Sequence, residues 1–171
     1  GGVGVCSREG PGECSHSHRI SNWGETMTVI FEKGFAQTIE KSDGAVLAGQ
    51  DSLFTITGGP IMVTEFVGIV TTILGGASNC HIDLAVTEPA ADVAFSTNVA
   101  IDSDAAGTSY TFTVATPGVL TPTTAGALDQ VPQIRWLCPI GTIKSHTSAA
   151  RTGNIKWYMS YISLSQYSKV V

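Results

Sequence analysis

Strict alternation of apolar and polar residues is the feature of this sequence that most restricts its possible folds. Residues 155–161 place Ile, Trp, Met and Tyr at odd positions and Lys, Tyr and Ser at even ones. A similar period of two recurs within residues 80–87, 93–102 and 109–114. This period sends side chains to opposite faces of a β-strand, whereas a helix that faces a core repeats every 3.6 residues. No stretch of about 11 residues shows the helical repeat, so we expect an all-β chain.

Further apolar runs, and the breakers between them, predict a series of short strands. Residues 61–74 are apolar at both parities, which predicts a long strand buried on both faces and bent at Gly68. Shorter strands are expected at 29–31, 53–57, 134–138 and 141–146. Turn signals rich in Gly and Pro separate these runs, at 58–60, 75–76, 104–107, 117–118 and 152–154. Such spacing is typical of two packed antiparallel sheets or a jelly roll.

The fold class we expect is a single antiparallel β-sandwich, or jelly-roll-like domain, over residues 27–171. Composition agrees, because Val plus Ile number 29 against 8 Leu, and β-branched side chains favour strands. Helix is expected to reach no more than one turn, within 89–93 and 123–128. Residues 116–124, which contain two prolines and a glycine, are expected to form a long loop.

Residues 1–26 differ from the rest, with six Gly and almost no apolar periodicity. They are expected to be a short, irregular, flexible arm, or a leader from over-extended translation with Met27 as the true start. The second interpretation rests on residues 23–27, which TGG-GGA-GAA-ACN-ATG can encode, a purine-rich ribosome-binding sequence before ATG. The arm also holds the candidate metal ligands Cys6, Cys14, His16 and His18. Their C-x7-C-x-H-x-H spacing differs from that of zinc sites, so we expect no metal there.

Charge is scarce, at 13% of residues against roughly 25% in an ordinary soluble domain. The hydrophobic fraction is 43%, which excludes a disordered chain. A net charge of -5 argues against a nucleic-acid partner, and the absence of an 18-residue apolar run argues against a membrane partner. Because interface cores are depleted in Lys, Glu and Asp, so few charges suggest extensive burial against other proteins.

The charges are also sorted along the chain. Between Lys41 and Arg135 there is no Lys or Arg, while eight acids precede Asp129; from Arg135 onward there are five basic residues and no acid. This division predicts either two electrostatic faces that orient docking, or pairing between neighbouring strands of opposite charge. The sequence leaves both interpretations open.

A search for catalytic chemistry gives little. There is no P-loop, H-E-x-x-H, G-x-G-x-x-G or G-x-S-x-G motif. His81 and His146 occupy polar sides of their strands and are expected to be solvated surface residues. Residues 102–107, which resemble part of a calcium loop, lack its distal Glu and are expected to form a turn. We therefore expect no catalytic, cofactor-binding or metal-binding residue, and no enzyme.

Cysteine and aromatic residues fit packing roles. Four scattered cysteines are too few for a disulfide scaffold, and Cys80 lies in an apolar run, as a small buried hydrophobe does. Trp157 and Tyr161 share the inward parity of their strand, which favours the core over a sugar-binding platform.

The segment 141–164 carries a recognisable pattern. It reads GTI, then TSAARTG, IKW, an aromatic-rich strand and a final SL. This pattern resembles the C-terminal hairpin of small structural proteins of tailed bacteriophages. Residues 65–68 and 104–108 resemble further pieces of it. The resemblance extends over most of residues 27–171, and the arm lies outside it.

The resemblance implies a virion structural protein, in particular a head decoration (cement) protein that binds the outer capsid surface and stabilises the shell. The implied partners are the major capsid protein and further copies of this chain, a homotrimer being favoured, assembled in the host cytoplasm and located on the capsid exterior. No residue of known function carries over. Contacts are expected in the arm, the 75–79 turn and the 116–124 loop, since loops carry function on β scaffolds.

Two alternatives of other classes remain. The first is a glycan- or receptor-binding β-sandwich module of a phage tail or fibre, with Trp136 or Tyr158 as its aromatic platform. The second is a hydrolase with a scattered site, which requires a pocket that holds His81 or His146 beside a nucleophile.

Overall fold

The computed structural model describes residues 36–42, 46, 48–112, 118–123 and 135–171. Several expectations fall outside these residues: the arm at 1–26 with its candidate metal ligands, the start at Met27, the strand at 29–31 and the helical turn after 123. Among the described residues there is no helix, and therefore none long and apolar enough to cross a membrane.

The described residues form thirteen strands. In chain order these are β1 (Gln37–Ser42), β2 (Gly49–Thr57), β3 (Ile61–Thr72), β4 (Asn79–Val86), β5 (Ala91–Ala94), β6 (Ser96–Thr97), β7 (Val99–Ala100), β8 (Ser109–Phe112), β9 (Gly118–Thr123), β10 (Trp136–Cys138), β11 (Gly141–Thr147), β12 (Asn154–Ser163) and β13 (Lys169–Val170).

The strands build two sheets that pack face to face. The first sheet has the order β1-β12-β3-β8-β9-β6, with β10 also paired to β3. The second has the order β13-β2-β11-β4-β5, with β7 also paired to β4. All described pairs are antiparallel except β6 with β9, which are parallel. The expected all-β antiparallel sandwich is confirmed.

The core between the sheets follows from the alternation. In β11 and β12 every second residue is buried, and β12 directs Ile155, Trp157, Met159 and Tyr161 inward. Phe66 of β3 lies at the centre, 5.9 Å from the ring of Phe54, which comes from β2 in the opposite sheet. Its ring is also 5.5 Å from that of Trp157. Edge and tilted contacts of this kind add to the area that aromatic residues bury.

The long strand β3 is buried on both faces only in part. A register shift opposite Ser160 leaves Thr64 without a cross-strand partner, a β-bulge, and beyond it Phe66, Val67 and Gly68 are all buried. Met62 and Ile69 of the outer face are half-exposed, because none of the described residues forms a second layer over that face. Gly68 lies against Trp157, where an added Cβ would be 2.5 Å from the indole ring. Its lack of a side chain makes room for Trp157.

The prediction of a long loop at 116–124 is wrong, because residues 118–123 form β9. Within the described part of the chain, Pro122 has a strand neighbour on one side only: it faces Tyr110 of β8, while β6 pairs with β9 no further than Val119. A proline is tolerated at such a position because the ladder needs no N–H from it on the free side.

The prediction of a helical turn at 89–93 is also wrong. Residues 87–90 form turns and residues 91–94 form β5, an edge strand paired only to β4. Val93, expected on the same inward face as Phe95 and Ile101, is exposed in this edge strand, while Phe95 and Ile101 are buried. The chain changes sheets at Phe95, since β5 and β7 pair with β4 and β6 pairs with β9. This change of sheet interrupts the parity.

The segment that resembles a C-terminal hairpin is not a hairpin here. β11 lies in the second sheet between β2 and β4, and β12 lies in the first sheet between β1 and β3. Each strand has partners on both sides, so no free edge remains for them to pair with each other. Residues 148–153 therefore carry the chain from one sheet to the other.

Candidate functional site

Three potential metal ligands meet on the outer face of the second sheet. In β4 the buried residues Ile82 and Leu84 face the core, so His81 and Asp83 between and before them face outward. In β11 the same alternation turns His146 outward. The register places His146 directly opposite His81, and Asp83 lies one outward position further along β4. Cross-strand and diagonal neighbours on one face can touch, which brings the three side chains together.

The distances between their ligand atoms are short. His81 Nε2 is 3.0 Å from Asp83 Oδ2 and 3.2 Å from His146 Nδ1. All three ligand atoms lie within 4.8 Å of one another, and the three residues are partly buried. The imidazole rings are nearly perpendicular, at 84°, with centroids 4.6 Å apart. Each ring therefore directs one nitrogen toward a common point beside the carboxylate.

Neighbouring polar groups orient this cluster. His81 Nδ1 is 2.7 Å from Asn98 Oδ1, so Nδ1 carries the proton that it donates to this oxygen. Lys144 lies opposite Asp83 in the register, yet its Nζ donates to Gln50 Oε1 of β2 at 3.2 Å. The carboxylate of Asp83 thus faces His81, and the nearest cation on its own sheet is turned toward β2.

Sequence reasoning missed this cluster. His81 and His146 are 65 positions apart and were expected to be separate solvated residues, but each has the other as a partner. A local signal was present: H-x-D at 81–83 within an alternating strand places both side chains on one face. The second histidine could not be found in this way, because it depends on which strand pairs with β4.

This cluster also bears on the alternative of a scattered hydrolase. The imidazoles are neither isolated nor fully exposed. No Ser, Thr or Cys nucleophile is among the hydrogen-bond partners that the described residues give them. The arrangement suits a cation better than a nucleophile-and-base pair, which needs the nucleophile within hydrogen-bond reach.

A shallow groove crosses the outer face of the first sheet. It has a volume of about 330 Å³ and is lined by Thr38, Glu65, Val67, Ile69, Tyr158 and Ser160. Ser160 Oγ donates to Glu65 Oε2 at 3.3 Å and lies 3.2 Å from Thr38 Oγ1. The partly exposed ring of Tyr158 therefore stands beside a row of hydroxyl and carboxylate oxygens.

No protein-family model, curated protein or solved structure matches this chain.

The other aromatic candidates belong to the core. Trp157 and Tyr161 are buried, as expected. Trp136, named as a platform, is half-buried and stacked on Phe95, with centroids 4.8 Å apart and ring planes at 17°. Its other neighbour is the edge of Phe112, at 4.6 Å. One face of this indole is thus covered. Tyr158 does line the groove, and Lys156 Nζ lies over its ring, 5.3 Å from the centroid.

The Asp-rich segment 102–107 has a structural role. Asp102 Oδ1 accepts a hydrogen bond from the backbone N–H of Ser78 at 2.9 Å, and the hydroxyl of Tyr110 donates to Asp104 Oδ2. Burial, and then the bond to Asp104, raise the pKa of the Tyr110 phenol far above its ordinary value. The carboxylates tie the turn to its neighbours, in agreement with the turn expected for this segment.

Cys80 and Cys138 are buried in the core. Burial raises the pKa of the Cys138 thiol to about 12, so this group stays protonated at neutral pH. A neutral buried thiol is a poor nucleophile and a poor metal ligand, and both cysteines act as small hydrophobic residues.

Proposed function

We propose that this protein is a structural component of a tailed-phage virion. In this role it binds the major capsid protein on the outer surface of the head, as an oligomer, and stabilises the shell. A homotrimer is the favoured assembly. The protein performs no catalysis; many copies, each making modest contacts over a lattice, give strong attachment through avidity.

The position of the phage-like segment carries the proposal. β11 and β12, which contain that segment, are interior strands of the two sheets and contribute alternate residues to the core. The resemblance therefore concerns framework positions of both sheets, and the proposal rests on the shared sequence pattern, since the two strands do not form the hairpin that the resemblance implied.

An apolar stripe on the first sheet supports a protein partner. Leu137 of β10 faces Met62 of β3, and Met62 faces Ile162 of β12. All three point away from the core, and Leu137 is 67% exposed. Apolar side chains aligned across three strands can be covered by a neighbouring subunit. This contact would lie on a strand face, whereas contacts were expected in loops.

The proposal is tested with the major capsid protein encoded nearest to this chain's gene, assembled into shells. We expect purified protein to elute at three times the 17.8 kDa mass of one chain, to sediment with the shells and to raise their temperature of disruption. A monomer that neither sediments with the shells nor changes their heat resistance would contradict the proposal.

The groove beside Tyr158 favours a second candidate function, glycan or receptor binding by a tail or fibre module. An amphipathic ring beside Glu65 and Ser160 provides stacking and hydrogen bonding at one place. We expect wild-type protein to be retained on host surface glycans and Tyr158→Ala to be lost from them. Equal retention of both proteins, or of neither, would exclude this candidate.

A further inference from the structure

We propose that His81, Asp83 and His146 bind a divalent transition-metal ion of the zinc class on the outer face of the second sheet. These residues supply two imidazole nitrogens and one carboxylate oxygen, a donor set that Zn²⁺ takes in proteins. Zinc and its neighbours Ni²⁺ and Cu²⁺ accept imidazole, whereas Mg²⁺ and Ca²⁺ prefer oxygen ligands. The proposal is independent of the capsid role.

The ligand spacing fits such an ion. With bonds of about 2.0–2.1 Å, two ligands of a tetrahedral ion lie about 3.3 Å apart. The distances from His81 Nε2 to the other two ligand atoms, 3.0 and 3.2 Å, are close to this ligand–ligand separation. The third separation is no more than 4.8 Å, so small side-chain rotations bring all three atoms onto one ion.

Proton positions give a second, independent argument. Asn98 Oδ1 accepts a hydrogen bond from Nδ1–H of His81, and in the tautomer with this single proton the lone pair is on Nε2. That lone pair points at a carboxylate oxygen of Asp83 and at Nδ1 of His146. A proton on Nε2 would pair with Asp83 alone, whereas a metal ion at this point contacts all three atoms at once. Asn98 then acts as the group that orients a metal-bound histidine.

The surroundings leave room for the ion and for one more ligand. The side chains of His81 and Asp83 are 21% and 13% exposed, so the cluster reaches solvent. Lys144 bonds to Gln50 and does not compete for Asp83. Three protein ligands with solvent access leave a coordination position for water, as in open zinc sites. Because the ligands come from β4 and β11, the ion would also link these two strands.

The chain offers a matched control, because its four histidines divide into two pairs. His16 and His18 lie in the N-terminal arm with Cys6 and Cys14, and could bind metal on their own. The test therefore compares full-length wild type with His16→Ala/His18→Ala, and then adds His146→Ala to that double variant. Zn²⁺ binding is measured by titration calorimetry after the protein is stripped with a chelator and reduced.

We expect the arm double variant to keep one Zn²⁺ per chain. Adding His146→Ala should weaken this binding by at least about 100-fold, since loss of an orienting partner alone costs roughly 10- to 100-fold. Asn98→Ala, made in the arm double variant, should weaken it by roughly 10- to 100-fold. Binding that disappears with the arm histidines, or that survives His146→Ala, would overturn the proposal, as would equal affinity for Mg²⁺.

Thermal unfolding gives a second measurement. Zn²⁺ at a hundred times its Kd should raise the Tm of the arm double variant by roughly 5–10 °C, because only the folded chain presents the site. The variant that also carries His146→Ala should show no rise with Zn²⁺ above its own metal-free Tm. Absence of the rise in the arm double variant would contradict the proposal. These experiments use isolated protein, so their result is separate from any failure to bind capsids.

Discussion

At the scale of single residues, Trp157 packs closely over Gly68 in the core. A methyl group at position 68 would lie 2.5–2.9 Å from three atoms of the six-membered ring of the indole. Both residues are in interior strands, so neither can move away easily. We expect Gly68→Ala to lower the free energy of unfolding by about 1–3 kcal/mol, the usual range for overpacking a core. Urea unfolding measures this change.

A double-mutant cycle isolates the cause of that loss. Trp157→Phe removes the ring atoms that the new methyl group would meet. In that background Gly68→Ala should cost clearly less than in wild type, so the two substitutions should be non-additive. Additive effects would show that the steric contact with Trp157 is not the reason for glycine at this position.

Tyr110 gives the protein a pH dependence on the alkaline side. Burial, and then Asp104, raise the pKa of this phenol far above its ordinary value of 10.0. Above pH 10 the unfolded chain loses the proton while the folded chain keeps it, so stability falls as pH rises. The stability is fully present below pH 10 and is lost above it, at about 1.4 kcal/mol per pH unit.

We therefore expect Tyr110→Phe to unfold with a shallower loss of stability between pH 10 and 12 than wild type. The variant also loses the bond to Asp104, and the difference between the two proteins at pH 7 measures that constant cost. Urea midpoints across the pH range give both quantities. Parallel curves for the two proteins above pH 10 would contradict the assignment.

Parity in the sequence predicts which residues point inward but not what they meet. Trp157, Tyr161 and Cys80 are buried as their parity indicates. The partners of Tyr110 and His81, in contrast, lie on turns and on another strand. Such contacts depend on register between segments that are distant in the chain, which a period of two does not encode.

At the scale of elements, hydrogen bonds from Ser78 hold the connection between β11 and β12 in place. This buried hydroxyl donates to Ala149 O at 3.1 Å and accepts from Ala149 N at 3.2 Å. Its backbone N–H bonds Asp102, so three connections meet at one residue. We expect Ser78→Ala to cost about 1–2 kcal/mol of unfolding free energy, because it leaves partly buried polar groups of residue 149 without their partner.

The control for this prediction is Thr57→Ala, an exposed hydroxyl at the end of β2, which should change stability by no more than about 0.5 kcal/mol. Chemical unfolding of both variants makes the comparison. Equal effects of the two substitutions would mean that the crossing does not depend on Ser78.

The strand order shows which neighbours the basic strands β11 and β12 have, and this bears on the two interpretations of the sorted charges. β11 lies between β2 and β4, and β12 lies beside β3; these three neighbours come from the acidic part of the chain, whereas β1, the other neighbour of β12, begins before it. Lys156 of β12 pairs with Glu40 of β1 at 2.8 Å, a bond that raises the pKa of this lysine. Lys144 of β11 lies opposite Asp83 of β4. Glu40 precedes the acidic part of the chain and Lys144 donates to Gln50, so neither contact decides between the two interpretations.

The strands themselves could be predicted, and their neighbours could not. Alternation located β4, β8, β11 and β12 because half-burial leaves a period of two. It failed at β9, whose Pro122 was taken as a loop signal although proline is compatible with a free strand side. It also failed for β11 and β12, since a short connection between two alternating runs fits a hairpin and a crossing between sheets equally well.

At the scale of the whole molecule, scarce charge and the apolar stripe of Leu137, Met62 and Ile162 lead to one prediction about assembly. Leu137 is the most exposed of the three, so Leu137→Asp should change the unfolding free energy by no more than about 0.5 kcal/mol. In the proposed capsid contact the same carboxylate would be buried without a partner. Residues central to an interface contribute about 2 kcal/mol or more, so binding to shells should weaken by at least about 30-fold.

The matched control is Ile73→Asp, which places the same charge on a similarly exposed apolar residue just beyond the other end of β3. Positions 62 and 73 are about 35 Å apart along an extended chain, so one contact centred on Leu137 does not reach Ile73. We expect Ile73→Asp to sediment with capsids as wild type does, and Leu137→Asp to remain in the supernatant. If both variants sediment equally, the stripe is not the capsid contact. If both are lost, the contact extends over the length of the first sheet, and the sheet as a whole, rather than one end of it, faces the shell.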